Sequence, residues 1–200
     1  MYIGSSGSPL VYSIHSVHFI RLPQESIWPP ISSSAASGFF VATAPLSPDG
    51  HVNTSPKGGE AFRILGPLEV VYQDYTGSGA ETASHLRENG RIVIMFCGFE
   101  GPPKIVRLHG QGTVITPDHP RFAELAAHFP PNTGTRAYVH IAVTRVSDSC
   151  GFSVPYFDYK EPRDTLDRWA AGQGPEKLDA YRAKKNQRSI DDLPAFTPRV

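Results

Sequence analysis

The sequence predicts a mainly β protein of the α+β class: an antiparallel sheet closed or half-closed into a barrel, with two short helices and a helical C-terminal tail. Three observations predict this class. Glycine and proline contribute 18 and 19 of the 200 residues, which is typical of many turns between short elements. The candidate strands are mostly rich in valine, isoleucine and aromatic residues. Two helical segments interrupt these strands, which does not fit an alternating βαβ sheet.

Six segments are predicted as strands because they are short apolar runs or alternate in polarity between turn residues. The first run, Phe39–Ala44, is closed by Pro45. The turn at 48–50 follows, in which proline fixes φ and glycine tolerates a positive φ, so the first two strands are expected to form a hairpin. The six predicted strands are 39–44, 51–55, 68–72, 92–96, 105–115 and 137–146.

Start signals mark the two short helices, which are predicted over 80–88 and 120–128. Ser78 and Glu81 have the spacing of a capping box at the first helix. In a capping box, each of the two side chains accepts a hydrogen bond from the backbone N–H of the other residue. Asp118 is a candidate cap for the second helix.

Charge divides the chain into three parts. Of residues 1–38 only Arg21 and Glu25 are charged and ten are serine, which predicts a disordered or atypical N-terminal arm. Residues 39–155 are predicted as the barrel domain, and residues 156–200 as a helical tail that packs on it. The tail helices are predicted over 163–171 and 176–187, on either side of Gly174 and Pro175.

The composition excludes several function classes. Basic and acidic residues number 19 each, so no net charge attracts the whole chain to nucleic acid or to an anionic membrane. No apolar run reaches the roughly 18 residues of a membrane helix. The two cysteines, Cys97 and Cys150, are too few for a disulfide framework, and no histidine pair has metal-ligand spacing with a third partner. We therefore expect a cytoplasmic protein with no metal site.

The segment 74–82 is the first candidate binding site, because it is expected to leave a strand and open a helix. Its glycines would allow backbone N–H groups to converge at the helix N-terminus, which suits a phosphate. Thr76, Ser78 and Thr82 add hydroxyl groups. An ordinary capped helix explains the same residues, and Glu81 would repel a phosphate unless it turns back as the capping partner.

A polar strand before a turn lysine is the second candidate. Alternation predicts Asn53 and Ser55 on one face of this strand and Thr54 on the other. Amide and hydroxyl groups at this spacing could bind the heteroatoms of a flat ring, and Lys57 could supply positive charge to a phosphate or to a flavin ring. A solvated hairpin arm is the alternative.

Arg107 is the third candidate. Alternation along 105–115 predicts that Ile105, Arg107 and His109 share one face of their strand. A charge inside a barrel is seldom without a role, whereas an edge-facing arginine would simply be solvated. Both interpretations remain open on the sequence.

Ten short segments of the chain form a recognisable series. They are FFVATA at 39–44, VNTSPKG at 52–58, TGSGAET at 76–82, HLRENGRI at 85–92, MFC at 95–97, FEGPP at 99–103, DSCG at 148–151, VP at 154–155, RDTLDRW at 163–169 and YRAK at 181–184. In this order they resemble the pyridoxamine 5'-phosphate oxidase-like family of FMN-binding split barrels, in an uncharacterised branch. The resemblance covers about residues 39–195.

The resemblance implies a six-stranded split barrel that forms a homodimer with FMN at the subunit interface. It places a flavin-lining set on the second strand and a phosphate-binding set at the strand-to-helix loop. The implied FMN-binding residues are Asn53, Thr54, Ser55 and Lys57 for the flavin, Tyr75, Thr76, Ser78 and Thr82 for the phosphate, and, from the strand argument, Arg107.

Two departures bear on activity. Members that oxidise pyridoxamine 5'-phosphate resemble one another in a basic pair at the start of this helix, where this chain has Glu81 and Thr82, and in a C-terminal substrate segment with no counterpart here. An FMN-dependent oxidoreductase of unknown substrate, with no assigned catalytic residue, is therefore the leading expectation. A non-catalytic flavin- or haem-binding dimer is the alternative, and pyridoxamine 5'-phosphate oxidation is the third.

Overall fold

A computed structural model describes residues 38–196 of the chain, and all but one residue of the predicted N-terminal arm lies outside them. Seven strands and three helices lie within these residues. All pairings are antiparallel, in the order β2-β1-β5-β6-β7-β4-β3. The strands are β1 (Phe39–Thr43), β2 (Asn53–Lys57), β3 (Phe62–Gly66), β4 (Glu69–Tyr75), β5 (Arg91–Cys97), β6 (Lys104–Ile115) and β7 (Thr135–Cys150), and the helices are α1 (Glu81–Asn89), α2 (Phe122–Ala126) and α3 (Thr165–Lys185).

The sheet curls until its two ends share one core. The ring of Phe39 on β1 lies 5.3 Å from that of Phe62 on the edge strand β3, between centroids, and Phe62 lies 5.2 Å from Phe96 on β5. Since β1 and β3 stand near opposite ends of the strand order, these contacts require a sheet bent into a partly closed barrel. The predicted fold class is confirmed.

A bulge in the longest strand pair contributes to this bend. The register between β6 and β7 shifts between His109 and Gly110. A side chain at Gly110 would collide with the carbonyl oxygen of Ala142, so the close approach of the two backbones requires glycine. Bulges increase the local twist of a strand, which helps a sheet to curl.

One strand was absent from the prediction, since the described residues contain seven strands rather than six. The additional strand, β3, carries Arg63 in its second position and ends at Gly66, so its own alternation is weak. Pairing with β4 makes it a strand: Phe62 lies opposite Tyr72, and both rings enter the core.

The predicted capping box of α1 is wrong. The N-cap residue is Ala80, and no side chain forms a cap hydrogen bond there. The Glu81 carboxylate instead accepts a hydrogen bond from the backbone N–H of Ile190 at 3.3 Å, because the C-terminal part of the chain packs beside it. Similarly, α2 is shorter than predicted, and its N-cap residue is Arg121 rather than Asp118.

The tail contains the two helices that the sequence predicts, now seen as one element, α3, that is broken at Gly174. Residues 186–196, here called the C-terminal strap, follow it and run along α1. The Ser84 hydroxyl donates to the carbonyl of Leu193 at 3.1 Å, and Arg87 donates to that of Ala195. None of the helices within 38–196 combines the length and apolar character needed to cross a membrane.

Candidate functional site

The inner side of β2, which faces the core, meets the start of α1 at a polar contact. Asn53 Nδ2 donates to Thr82 Oγ1 at 3.0 Å, and the Ser55 hydroxyl donates to Asn53 Oδ1 at 3.2 Å. Alternation places Asn53, Ser55 and Lys57 together on this inner side, each partly exposed. The structure thus joins two groups of residues that the sequence predicted separately.

A buried carboxylate organises the charges beside this contact. Asp74 is 5% exposed, and its two oxygens accept from Lys57 Nζ at 2.9 Å and from Arg136 Nε at 2.7 Å. Burial alone would raise the pKa of Asp74, but the charges and hydrogen bonds of Arg136 and Lys57 outweigh it and lower the pKa to about 2. Two cations around one carboxylate leave one net positive charge at the site.

Residues 76–79, here called the 76–79 loop, connect β4 to α1. The Thr76 hydroxyl is buried, donates to the Gly134 carbonyl at 2.8 Å and accepts from Arg182 Nε at 2.9 Å. The Gly77 carbonyl accepts from Arg136 at 3.2 Å and from Asn186 Nδ2 of the C-terminal strap at 2.7 Å. Ser78 and Gly79 are exposed, so this part of the loop borders solvent.

The predicted site residues fall into two groups. Three of them lie away from the inner site. Thr54 is exposed on the outer side of β2, as alternation requires, and Arg107 lies on the outer side of β6, donating to Ser149 Oγ at 3.1 Å. Tyr75 points to the opposite side of β4 from Asp74 and donates to Gln73 Oε1 at 3.0 Å. The residues brought together at the inner site and its loop are Asn53, Ser55, Lys57, Thr76, Ser78 and Thr82.

Burial also changes Tyr75 itself. Its phenol is half-buried, and burial, assisted by the charge of Asp167, raises its pKa to about 12. This phenol therefore stays protonated and acts as a hydrogen-bond donor on its own side of β4.

Sequence reasoning missed three residues of the inner site: Asp74, Arg136 and Asn186. Asp74 gave a usable signal, because alternation from Val70 and Tyr72 places it on the inner side of β4, where an unpaired charge is costly. Arg136 and Asn186 gave none, since their partners lie 62 and 109 positions away in the chain.

A buried histidine lies beneath α1. His85 is 0% exposed, and its Nδ1 is 2.9 Å from the hydroxyl of Thr43 on β1. Burial lowers the pKa of His85, although the nearby charges of Asp191, Glu81 and Glu88 act in the opposite direction. His85 is therefore a neutral, structural histidine that fixes α1 on the barrel.

This arrangement is suited to binding rather than to proton transfer. Hydroxyl and amide groups line one side, a net positive charge lies beside them, and the 76–79 loop is exposed at Ser78 and Gly79. The buried acid, Asp74, titrates near pH 2 and remains ionised at neutral pH, so it cannot exchange a proton there. A polar, planar ligand with an anionic group matches this set of donors.

Comparison with known proteins places the chain in a family. Residues 34–150 match the family described as pyridoxamine 5'-phosphate oxidase. A curated relative, the pyridoxamine 5'-phosphate oxidase family protein ustO of Aspergillus flavus, is 39% identical over 175 residues, which cover 79% of this chain and 70% of that protein. The chain belongs to the pyridoxamine 5'-phosphate oxidase family. The resemblance found in the sequence is confirmed.

The solved structures that match this chain share little sequence with it. HupZ of Group A Streptococcus is 20% identical with a TM-score of 0.45, and the alignment covers 64% of this chain and 98% of that one. A protein of Syntrophomonas wolfei described as FMN-binding is 13% identical, with coverages of 59% and 80% and a TM-score of 0.43. A protein of Mycobacterium smegmatis described as FAD-binding is 16% identical, with coverages of 64% and 94% and a TM-score of 0.44. The family assignment therefore rests on the sequence matches.

Proposed function

We propose that this chain is an FMN-dependent oxidoreductase whose flavin lies along the inner side of β2 and whose flavin phosphate lies at the 76–79 loop. The observation that carries the proposal is the hydrogen bond from Asn53 to Thr82. It brings the strand predicted to line the ring and the helix start predicted to bind the phosphate into one site. Membership of the pyridoxamine 5'-phosphate oxidase family supports a flavin as the ligand.

The donor set fits FMN. Asn53 and Ser55 offer an amide and a hydroxyl to the carbonyl and nitrogen edge of a flavin ring, and Lys57 lies on the same side of the strand. Arg136 contacts the Gly77 carbonyl, so its charge stands beside the loop that would receive the phosphate. When bound, the flavin supplies hydride chemistry, while the protein orients the ring and excludes water.

The partner in this proposal is a second copy of the chain. The outer side of the sheet is apolar and half-exposed at Phe40, Val93 and Met95, which lie on adjacent strands β1 and β5. Half-exposed apolar side chains on a sheet face favour burial against another protein surface. Arg107 pairs in register with Met95 on this outer side, so we propose that it lies at the interface with the partner subunit.

The cytoplasm is the compartment that we propose. Two cysteines are present, both unpaired; Cys97 is buried and Cys150 is exposed. An exposed free thiol is compatible with a reducing compartment, where disulfides are rare.

The visible spectrum of the purified protein and its titration with FMN test the proposal. We expect a flavin spectrum, and FMN at one hundred times its Kd should stabilise the fold by about 2.7 kcal/mol. Colourless protein whose Tm does not respond to saturating FMN would contradict flavin binding.

A second candidate, a non-catalytic flavin-binding dimer, is favoured by one observation. The carboxylate of Glu81 lies in the first turn of α1, where a negative charge opposes a bound phosphate. Steady-state reduction of the bound flavin by NADPH or NADH, followed by transfer to an acceptor, separates the two: turnover supports the oxidoreductase, and its absence in flavin-loaded protein supports the carrier. Oxygen uptake with pyridoxamine 5'-phosphate as substrate would instead indicate the vitamin B6 reaction.

A further inference from the structure

We infer that Asn186 is a positioning residue for the flavin phosphate: it holds two consecutive carbonyls of the 76–79 loop and so directs the N–H groups of Ser78 and Gly79 toward the ligand. This inference rests on the proposed function, because the phosphate at that loop belongs to the FMN of the proposal. It assigns a binding role to the C-terminal strap.

Asn186 contacts the 76–79 loop through one short and one longer hydrogen bond. Its side chain is 0% exposed, and Nδ2 donates to the Gly77 carbonyl at 2.7 Å and to the Ser78 carbonyl at 3.4 Å. Arg136 donates to the same Gly77 carbonyl at 3.2 Å. Two successive carbonyls of the loop therefore face the C-terminal strap.

Each of these two carbonyls shares a planar peptide with the N–H group of the next residue. No cis peptide occurs within residues 38–196. In a trans peptide the carbonyl and the following N–H point in opposite directions, so the N–H groups of Ser78 and Gly79 both point away from Asn186. Across the described part of the chain neither N–H donates to a protein acceptor. Successive N–H groups that point to one side form an anion-binding concavity.

The side-chain amide of Asn186 turns its NH2 group to the loop carbonyls and leaves its oxygen without a partner among the described residues. Two carbonyl acceptors require that the NH2 group faces the loop, which fixes the choice between the two orientations of the amide. Its oxygen, Oδ1, is consequently buried without a hydrogen-bond partner among the described residues. A buried acceptor without a partner is destabilising, so the amide is better explained by the loop that it holds than by fold stability.

The strap also acts on the acid that would oppose a phosphate. The backbone N–H of Ile190, four residues after Asn186, donates to the Glu81 carboxylate. A hydrogen bond to a carboxylate disperses part of its charge. The same segment thus sets the two donors and partly neutralises the nearest negative charge.

The ratio of the Kd for riboflavin to the Kd for FMN tests the inference, because riboflavin has the ring and ribityl chain but no phosphate. In the wild-type chain we expect FMN to bind at least ten times more tightly than riboflavin. Asn186→Ala should lower this ratio by about tenfold and leave the riboflavin Kd within twofold, which by itself excludes general unfolding. Asn186→Asp should lower the ratio further, since a carboxylate cannot donate to the carbonyls.

Two controls separate positioning from attachment of the strap. Gln187→Ala changes an exposed neighbour in the strap, whose side-chain amide donates to the Ala183 carbonyl of α3, and it should leave the ratio unchanged. Ser84→Ala removes the hydroxyl contact to Leu193 and loosens the strap without touching the loop. If Asn186→Ala and Ser84→Ala weaken both ligands equally, the role of Asn186 is structural and the inference is overturned.

The outcomes also distinguish this inference from the proposed function. If the wild-type chain prefers FMN and Asn186→Ala does not change the ratio of the two Kd values, the proposed function stands. The positioning role of Asn186 is then refuted. A wild-type chain that binds neither flavin, or binds both equally, overturns the inference together with the phosphate site. The backbone amide NMR signals of Ser78 and Gly79 should shift when FMN binds and not when riboflavin binds. Signals that shift with neither ligand would contradict the assignment of these N–H groups to the phosphate.

Discussion

The inner and outer sides of β2 differ in how their polar groups are held. On the inner side Asn53, Ser55 and Lys57 are each fixed by a hydrogen bond to another polar side chain. On the outer side Thr54 and Pro56 are exposed, and the neighbouring strands carry half-exposed apolar residues. Since neighbouring residues of one strand point to opposite sides, a five-residue strand serves two surfaces of different chemistry.

This difference indicates two kinds of binding surface. The inner side has its polar groups fixed before a ligand arrives, which lowers the entropic cost of binding a small, directional ligand. The outer side offers apolar area with little fixed polarity, which suits a protein surface. The predictions below, made at five residues, test this contrast and the helix beside it.

The largest effect is expected on the inner side, at Asp74. Asp74→Asn removes the carboxylate between Lys57 and Arg136 and leaves a nearly buried arginine and a partly exposed lysine without their partner. We expect a loss of about 3–5 kcal/mol in the free energy of unfolding, measured with urea. Asp148→Asn, which breaks an exposed ion pair with Lys104, is the matched control and should cost no more than about 1 kcal/mol.

The free energy of unfolding at acid pH should report the ionisation of Asp74. The pKa of Asp74 is lowered from 3.8 to about 2, so its contribution to stability is complete above pH 4 and is lost as the pH falls from about 4 to about 2. In Asp74→Asn this part of the acid dependence should disappear. Equal costs for the two aspartate variants would contradict the role of burial.

On the outer side, Met95→Glu should prevent dimerisation. A carboxylate at the centre of an apolar interface must be desolvated, and we expect the dimer Kd to rise at least about 100-fold, or about 2.7 kcal/mol. Sedimentation of the variant should give a monomer with unchanged urea stability. Ala171→Glu, at an exposed position of α3, should leave the oligomeric state as it is. A wild-type monomer would refute the proposed partner.

Lys57→Met tests whether the lysine on the inner side of β2 contributes to FMN binding. It removes one of the two cations at Asp74 while Arg136 still pairs that carboxylate, so the fold should survive. We expect FMN to bind about tenfold more weakly, or about 1.4 kcal/mol, measured by quenching of flavin fluorescence. Lys104→Met removes an exposed cation on β6 and should not change the affinity. If the two lysine variants bind FMN alike, Lys57 does not belong to the site.

His85 tests whether α1 depends on a neutral histidine. Because burial lowers its pKa below 6.5, stability is retained above about pH 6.5 and is lost progressively as the pH falls below that value. His85→Gln keeps a partner for Thr43 and cannot titrate. Its urea stability should be less dependent on pH between about 6.5 and 5 than that of the wild type, and an unchanged slope would argue against this histidine.

The smallest effect is expected at Glu81. Glu81→Gln keeps an acceptor for the Ile190 N–H and removes one negative charge from the first turn of α1. FMN should bind more tightly by about 0.3–1 kcal/mol, and the gain should decrease as salt is added. Riboflavin affinity, which involves no phosphate, should stay the same. Weaker FMN binding in this variant would place the phosphate elsewhere.

The sequence predicted those features that depend on local pattern. Alternation along β2 placed Thr54 opposite Asn53 and Ser55, and the break at Gly174 divided the tail helices as expected. The family resemblance was also carried by short segments and is confirmed. The binding of FMN by the predicted residues stays a prediction.

Features that depend on distant partners could not be predicted. A capping box between Ser78 and Glu81 is locally favourable, but the strap competes for Glu81 from 109 positions away. The Asp74–Arg136 pair forms because β4 and β7 are neighbours in the sheet, which no local pattern reveals. Strand β3 likewise depends on its partner strand.

The separation of Asn186 from the loop that it holds has a consequence for the timing of synthesis. The chain makes Gly77 109 residues before Asn186, which takes roughly 5 to 20 seconds at about 5–20 residues per second. The barrel strands are all complete by then, whereas the 76–79 loop still lacks its second support. A nascent barrel should therefore show little preference for FMN over riboflavin until residue 186 has left the ribosome and reached the loop.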